Sequence, residues 1–484
     1  MEKLILRVKT FFKQKYFIIG DFLKFVFENS KAFLKQSFDK IRNDKIRRNL
    51  LQAIPFWTAS IITGLVAVFY AQTFAATEKL SANIFHSHPW LFFIISPLCF
   101  FFARYIVKKF APYSRGSGIP QIMASVELAT PKNNEKVKKL LGFRIIIIKI
   151  ASSVIMAFGG GAVGREGPII HIAGSIFKKI NDLLPVWWPK VSNKNMIMTG
   201  AAAGLAAAFN TPLGGIVFAV EELTKTHLSY FKSAIFTAVI IAGLTVQSLI
   251  GSYLYLGFPT VTSLSSHVLF WVALVAIIAG VMGSGMAKTI WFIFKWKDTF
   301  KKEYHHILYL LVSSLVIASL AYFVNENVMG SGKSLMTTTL FTDDKYSHWY
   351  MPLLRIIGPA LSFTTGAAGG IFAPGLSGGG AVGSVISGWL DLSPSDTNLM
   401  ILAGMVAFLT GITRAPFTSA ILVLEMTDRN NLILHLMMAG LIASFISKVI
   451  DKRSLYDYLK DRYIDEIQKE EDAEYLKEQS KLKT

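Results

Sequence analysis

The residues best suited to chemistry lie in three short Gly/Pro segments of an otherwise apolar chain. They are Gly116-Ser-Gly-Ile-Pro120, Gly164-Arg-Glu-Gly-Pro168 and Gly369-Gly-Ile-Phe-Ala-Pro374. Each places glycines ahead of a proline and then a helix-compatible apolar stretch. Proline suits the first helical turn, and glycine lets backbone approach a ligand closely. Such a break exposes N–H groups at a helix N-terminus, where partial positive charge attracts anions. In hydrocarbon those groups are tolerated only where protein, water or a ligand satisfies them. Three such starts predict a dehydrated anion held mainly by backbone amides. The competing reading is ordinary helix kinks with tight packing.

Acids and hydroxyls surround these breaks. Glu166 lies inside the second segment, and a carboxylate in an apolar span is costly enough to mark function by default. Ionised, it can occupy an anion site at a helix N-terminus; protonated, it leaves, as a gate would. The alternative is an interfacial salt bridge with Arg165. Glu221 and Glu222 end an apolar helix, which also fits a helix meeting cytoplasmic water. Ser117 offers an uncharged hydroxyl donor suited to a halide. Tyr456 on its own reads as an interfacial aromatic.

The elements that must position these groups are membrane helices. Hydrophobic residues make up 52% of the 484 and charged residues only 17%, with mean hydropathy +0.45. A soluble fold of this size could not hide so much apolar surface. Apolar runs near the ~20-residue spanning length recur at 56–75, 89–107, 234–250, 268–294, 307–325 and 432–450. Shorter stretches broken by Gly and Pro suit discontinuous helices lining a polar site.

The net charge of +19 follows membrane topology rather than nucleic-acid binding. Basic residues crowd Lys3 to Arg48 and recur at Lys108–Lys109 and Lys136–Lys139, and no base-reading motif accompanies them. The N-terminus is expected to be cytoplasmic and is not a signal peptide, because Lys and Arg interrupt every candidate apolar core. Cys99 has no partner for a disulfide or a metal site.

Three regions follow. Residues 1–50 form a basic amphipathic segment at the membrane surface. Residues 51–450 form the transport body, with halves at about 51–255 and 265–450. Residues 451–484 include Tyr456 and a charged cytoplasmic tail. An internal repeat supports the halves: Gly200, Pro212 and Glu221 match Gly404, Pro416 and Glu425. A second block pairs Gly160, Gly164, Pro168 and Gly174 with Gly366, Gly370, Pro374 and Gly380. Repeats of this kind place a substrate site between halves near mid-membrane.

GSGIP, GREGP and GGIFAP, in this order, resemble the signature segments of CLC chloride channels and transporters. Asn210-Thr-Pro-Leu-Gly-Gly, Glu221-Glu222 and Arg414-Ala-Pro with Glu425-Met-Thr-Asp428 resemble the same family, over about 113–456. The resemblance implies an all-α polytopic fold of two inverted-topology halves with about 18 tilted and broken helices. It implies a homodimer in the lipid bilayer, each subunit with its own pathway for chloride and protons. Glu166 becomes the external gate and proton acceptor, and Glu222 the internal proton-transfer group, with Glu221 structural. Ser117, Tyr456 and the N–H groups of Ile371 and Phe372 coordinate the anion, flanked by Arg165 and Gly167. Relatives with proline in place of Ser117 tend to prefer nitrate, so serine points to chloride. Channel-type relatives lack an acid at Glu222, which favours chloride/proton antiport over a passive channel. A multi-pass protein of the inner (plasma) membrane with both termini cytoplasmic is expected, without cofactor or metal.

Some residues depart from the family pattern or mislead. Gln121 and Met123 stand where relatives carry acids, and Lys149 matches a family lysine read as a buried ion-pair partner. Gly330-Ser-Gly-Lys-Ser334 resembles the end of a phosphate-binding loop, but Asn327 replaces the required earlier glycine. It reads as a loop. An intramembrane hydrolase using Ser117 or Glu166 lacks a Ser/His or paired-Asp arrangement, so no enzyme is expected.

Overall fold

A computed structural model of the chain describes residues 44–189, 191–223, 232–251, 254–262 and 264–482. The surface segment expected over 1–50 lies outside them as far as residue 43. The first half runs through α1 (Asp44–Ser87), α2 (Phe92–Phe110), α3 (Ile119–Leu128), α4 (Asn134–Leu140) and α5 (Phe143–Phe158). It continues with α6 (Glu166–Leu183), α7 (Asn193–Phe209), α8 (Pro212–Phe218) and α9 (Lys232–Ile250). The second half holds α10 (Val268–Asp298), α11 (Glu303–Phe323), α12 (Lys333–Phe341), α13 (Met351–Phe363) and α14 (Phe372–Trp389). It closes with α15 (Pro394–Thr413), α16 (Pro416–Thr427), α17 (Ile433–Ile450) and α18 (Leu455–Leu482).

Among the described residues, 8 helical stretches are long and apolar enough to cross a membrane. The six runs read from hydropathy are among them. Two were hidden. In Asn134–Phe158 Arg144 and Lys149 interrupt the apolar run, and Pro394–Thr413 is diluted by polar residues. The apolar window of Pro394–Thr413 is entirely buried, so protein rather than lipid surrounds α15. Elsewhere Phe69, Leu98, Phe270, Phe292, Leu434 and Phe445 are exposed, an apolar exterior that lipid solvates.

By packing, the chain divides into two units. One comprises residues up to Pro55 with Leu183–Val191, and within it the Trp188 indole donates to the Leu51 carbonyl at 2.5 Å. The other comprises Phe56–Asp182 and Ser192–Thr484 and holds every site residue discussed below.

Lipid tails are as apolar as leucine, so helices cohere through close backbone packing. α14 and α15 meet at Gly379 and Gly404, where a Cβ on either would fall 2.1 or 2.2 Å from the other's carbonyl oxygen. Gly200, the repeat counterpart of Gly404, packs against α6 in the same way, its Cβ position 2.9 Å from the Ala173 carbonyl oxygen.

The halves also cap one another. The Glu221 carboxylate accepts from the N–H groups of Phe417 (3.2 Å) and Thr418 (2.7 Å) at the start of α16. Its counterpart Glu425 accepts from Leu213 (3.0 Å) and Gly214 (2.7 Å) at the start of α8. Acids at helix N-termini satisfy orphan donors and complement the dipole. The charged residues after 465 continue α18. Its acids meet basic residues of the body, Glu471 with Lys136 (2.8 Å) and Glu470 with Lys139 (3.3 Å).

Candidate anion pathway

The three Gly/Pro segments converge. Gly164 and Gly370 donate to each other's carbonyl at 2.8 and 2.7 Å. Gly116 donates to Ala367 at 2.8 Å and accepts from Gly369 at 3.1 Å. The first residues of α3, α6 and α14 are thereby held around one point, each helix with a proline in its first turn. Only glycine permits this at two places. Gly118 has φ +106°, and a Cβ there would lie 2.4 Å from the His171 Cβ. A Cβ on Gly167 would lie 2.1 Å from Ser117 Oγ. The Ser117 hydroxyl therefore sits directly on the N-terminal backbone of α6.

Ser117 and Tyr456 face the same interior. Both hydroxyl oxygens are buried without a hydrogen-bond partner among the described residues, although the two side chains are neighbours. Buried polar atoms are rarely left unpaired, so such a pair marks a place for a polar guest. Tyr456 is delivered by the first turn of α18, its ring stacked on Phe372 at 6.2 Å and 10°. Phe372 in turn faces Phe209 at 6.3 Å. Ile371 is the N-cap of α14 and Phe372 its first residue, both buried, so their N–H groups belong to the helix's orphan set.

The Glu166 side chain turns toward α14 and is 1% exposed. Its carboxylate lies beside the backbone N–H of Ala373 and against Gly164, whose Cβ position is 2.3 Å from Oε2. Oε1 accepts from the Tyr255 hydroxyl at 3.2 Å. The carboxylate thus occupies the place at the α14 N-terminus that suits an anion. Among the described residues it forms no salt bridge with Arg165, whose guanidinium donates instead to the Ala71 carbonyl at 2.5 Å.

Glu222 sits in a single π-helical turn, Ala219–Leu223, that continues α8. Such turns recur at functional sites because they redirect side chains. Here the turn sends adjacent acids apart: Glu221 to the α16 cap, Glu222 to a cavity of about 150 Å³. That cavity is lined also by Met123, Glu127, Lys194 and Lys460. Lys460 pairs with Glu127 at 2.7 Å. Burial works against its charge, but Glu127 and Asp461 hold the ammonium above the usual lysine range. Tyr456 lies within electrostatic reach of both Glu166 and Glu222.

The departure at 121 and the family lysine at 149 meet at one backbone segment. Lys149 is buried, but its ammonium donates to the carbonyls of Ser114 (2.9 Å), Arg115 (3.3 Å) and Gly116 (2.9 Å) rather than to a carboxylate. The ion-pair reading of Lys149 is corrected accordingly: the lysine's partners are backbone carbonyls. The Gln121 amide donates to the carbonyls of Tyr113 (3.1 Å) and Arg115 (2.7 Å). Two buried donors therefore pin the backbone that presents Ser117. Met123, standing where some relatives carry an acid, lines the Glu222 cavity, and Glu127 supplies a carboxylate there.

Two residues were missed from sequence. Arg355 in α13 is fully buried and donates to the carbonyls of Asn327 (2.9 Å) and Met329 (3.0 Å) and to Ser377 Oγ (2.8 Å). It fixes the loop that leads to Gly332 and α12, where the false phosphate motif lies. A lone arginine in an apolar stretch is a signal that could have found it. Tyr255 lies in the connection between the halves and carried no signal.

These features define a polytopic membrane protein with a candidate anion site among three helix N-termini. The chain belongs to the voltage-gated chloride channel (CLC) family, whose model matches residues 99–448. It is 26% identical over 469 residues to the H(+)/Cl(−) exchange transporter ClcA of Klebsiella pneumoniae, covering 91% of this chain and 97% of that one. To the ClcA of Salmonella paratyphi A it is 27% identical over 455 residues, covering 88% and 93%. Among solved structures, a slow cyanobacterial Cl−/H+ antiporter superposes with TM-score 0.73 at 24% identity, over 85% of this chain and 97% of that one. A CLC-type fluoride/proton antiporter superposes with TM-score 0.71 at 20% identity, over 86% and 98%.

Proposed function

We propose that this chain exchanges chloride for protons across the plasma membrane. One observation carries the reading: the Glu166 carboxylate lies where an anion would, beside the Ala373 N–H at the N-terminus of α14. A proton arriving at Glu166 removes the charge that holds it at the helix end, a preference of up to about 2 kcal/mol in partly buried settings. The neutral side chain then leaves and chloride takes its place. The N–H groups of Ile371 and Phe372 and the hydroxyls of Ser117 and Tyr456 coordinate the anion, with Arg165 and Gly167 flanking it. The proton continues to Glu222, whose cavity opens past Lys460.

The ClcA relatives, named as exchangers, and the acid at Glu222 favour exchange over a passive channel. In this reading both termini face the cytoplasm. Leu213, Val220 and Phe417 leave an apolar face exposed on α8 and α16, which suits a homodimer contact; dimers in mild detergent are expected. The test is proton movement driven by a chloride gradient in liposomes. Chloride flux without proton uptake would identify a channel.

A further inference from the structure

Tyr255, where the first half meets the connection to the second, belongs to no motif, yet it is the described residue whose hydroxyl donates to Glu166. Its phenol is buried, 3.2 Å from Oε1. The ring is held on two sides: Phe209 meets it edge-on at 5.0 Å, and Lys333 Nζ stands 4.6 Å over its face. The backbone beside it is tied to the second half, the Leu256 N–H donating to the Met426 carbonyl at 3.2 Å. Phenylalanine would fill this space equally well, so the ring contacts leave the hydroxyl unexplained.

Building on the reading of Glu166 as the gate, we propose that Tyr255 is the gate's positioning residue. Its O–H holds the ionised carboxylate in the anion site at the α14 N-terminus and is released when Glu166 is protonated. A hydrogen bond to an ionised acceptor is roughly twice as strong as one between neutral groups. The phenol therefore favours the seated, charged gate over the neutral, displaced one. Other groups face this carboxylate and set the background on which Tyr255 acts. They are Tyr70 and Glu78 from α1, Arg165 before α6, Lys333 from α12 and Tyr456 from α18. None of them is altered by removing the Tyr255 hydroxyl.

The experiment is chloride efflux from liposomes as a function of pH, for Tyr255→Phe in the parent and in a Glu166→Gln background. Tyr255→Phe weakens retention of the charged gate, so half-maximal flux should move about one unit to higher pH, a roughly tenfold change in proton demand. Proton coupling should persist. In the Glu166→Gln background the same substitution should leave the pH profile unmoved. Tyr255→Phe protein that is monodisperse and keeps the parent profile overturns the proposal, as does an equal shift in both backgrounds. If Glu166→Gln alone still takes up protons, the gate reading fails first and takes this proposal with it.

Discussion

Gly164 and Gly370 occupy equivalent places in the two halves and hydrogen-bond to each other in both directions, at 2.8 and 2.7 Å. A segment that meets its own counterpart reciprocally lies on a local two-fold axis. The bridge is antiparallel, so the chain runs in opposite local directions through these two segments. The crossed caps of Glu221 on α16 and Glu425 on α8 repeat the same reciprocity. The candidate anion site is thus built where the halves touch.

Gly164 also tests what seats the proposed gate. A Cβ there would lie 2.3 Å from Glu166 Oε2, while its other neighbours, at 3.2 and 3.3 Å, are only tight. Gly164→Ala should push the carboxylate from its seat without removing it. Chloride efflux at alkaline pH should rise several-fold and proton coupling should weaken. Unchanged alkaline flux from folded protein would show that the seat is not where Glu166 acts.

Lys149 supports the backbone that carries Ser117. Lys149→Met removes a charged donor shared by three carbonyls; Arg115 and Gly116 keep the Gln121 amide and the Gly369 N–H, while Ser114 loses its donor, a cost of about 1–3 kcal/mol. Melting temperature should fall, and chloride should bind more weakly because Gly116 adjoins Ser117. Calorimetric titration with chloride would check the second effect. A variant that melts earlier with full affinity would confine Lys149 to stability.

Sequence showed the chemistry better than its supports. The three segments were legible because Gly and Pro in hydrocarbon are tied to special backbone geometry, and the structure brings all three together. The repeat was legible as paired glycines, prolines and acids, and its counterparts prove to touch. Positions that depend on distant partners were not legible. Lys149 could be assigned a buried cation's usual partner, a carboxylate, but not the carbonyls it uses. Tyr255 sits in a connection of ordinary composition, and only the folded path places it beside Glu166. Asn134–Phe158 escaped because Arg144 and Lys149 interrupt its apolar run, although its average hydropathy is high.

The proposed role of Glu222 in proton transfer is what would separate exchange from conduction. Glu222→Gln keeps the size of the side chain lining its cavity but cannot ionise. Chloride efflux should stay near the parent rate, while chloride-driven proton uptake should fall to background. Proton uptake at the parent's ratio to chloride would remove Glu222 from the proton route.

The central claim is that one carboxylate, Glu166, both blocks the anion site and carries the proton. The most direct measurement records chloride efflux and proton uptake together, in liposomes containing Glu166→Gln, across a range of pH. The amide resembles the protonated carboxyl in shape but cannot take or release a proton. Chloride should still cross, because Ser117, Tyr456 and the N–H groups of α14 remain. Proton uptake should vanish, and the pH dependence of flux should largely disappear. Stable Glu166→Gln protein that pumps protons like the parent, with the parent's pH profile, would contradict the account.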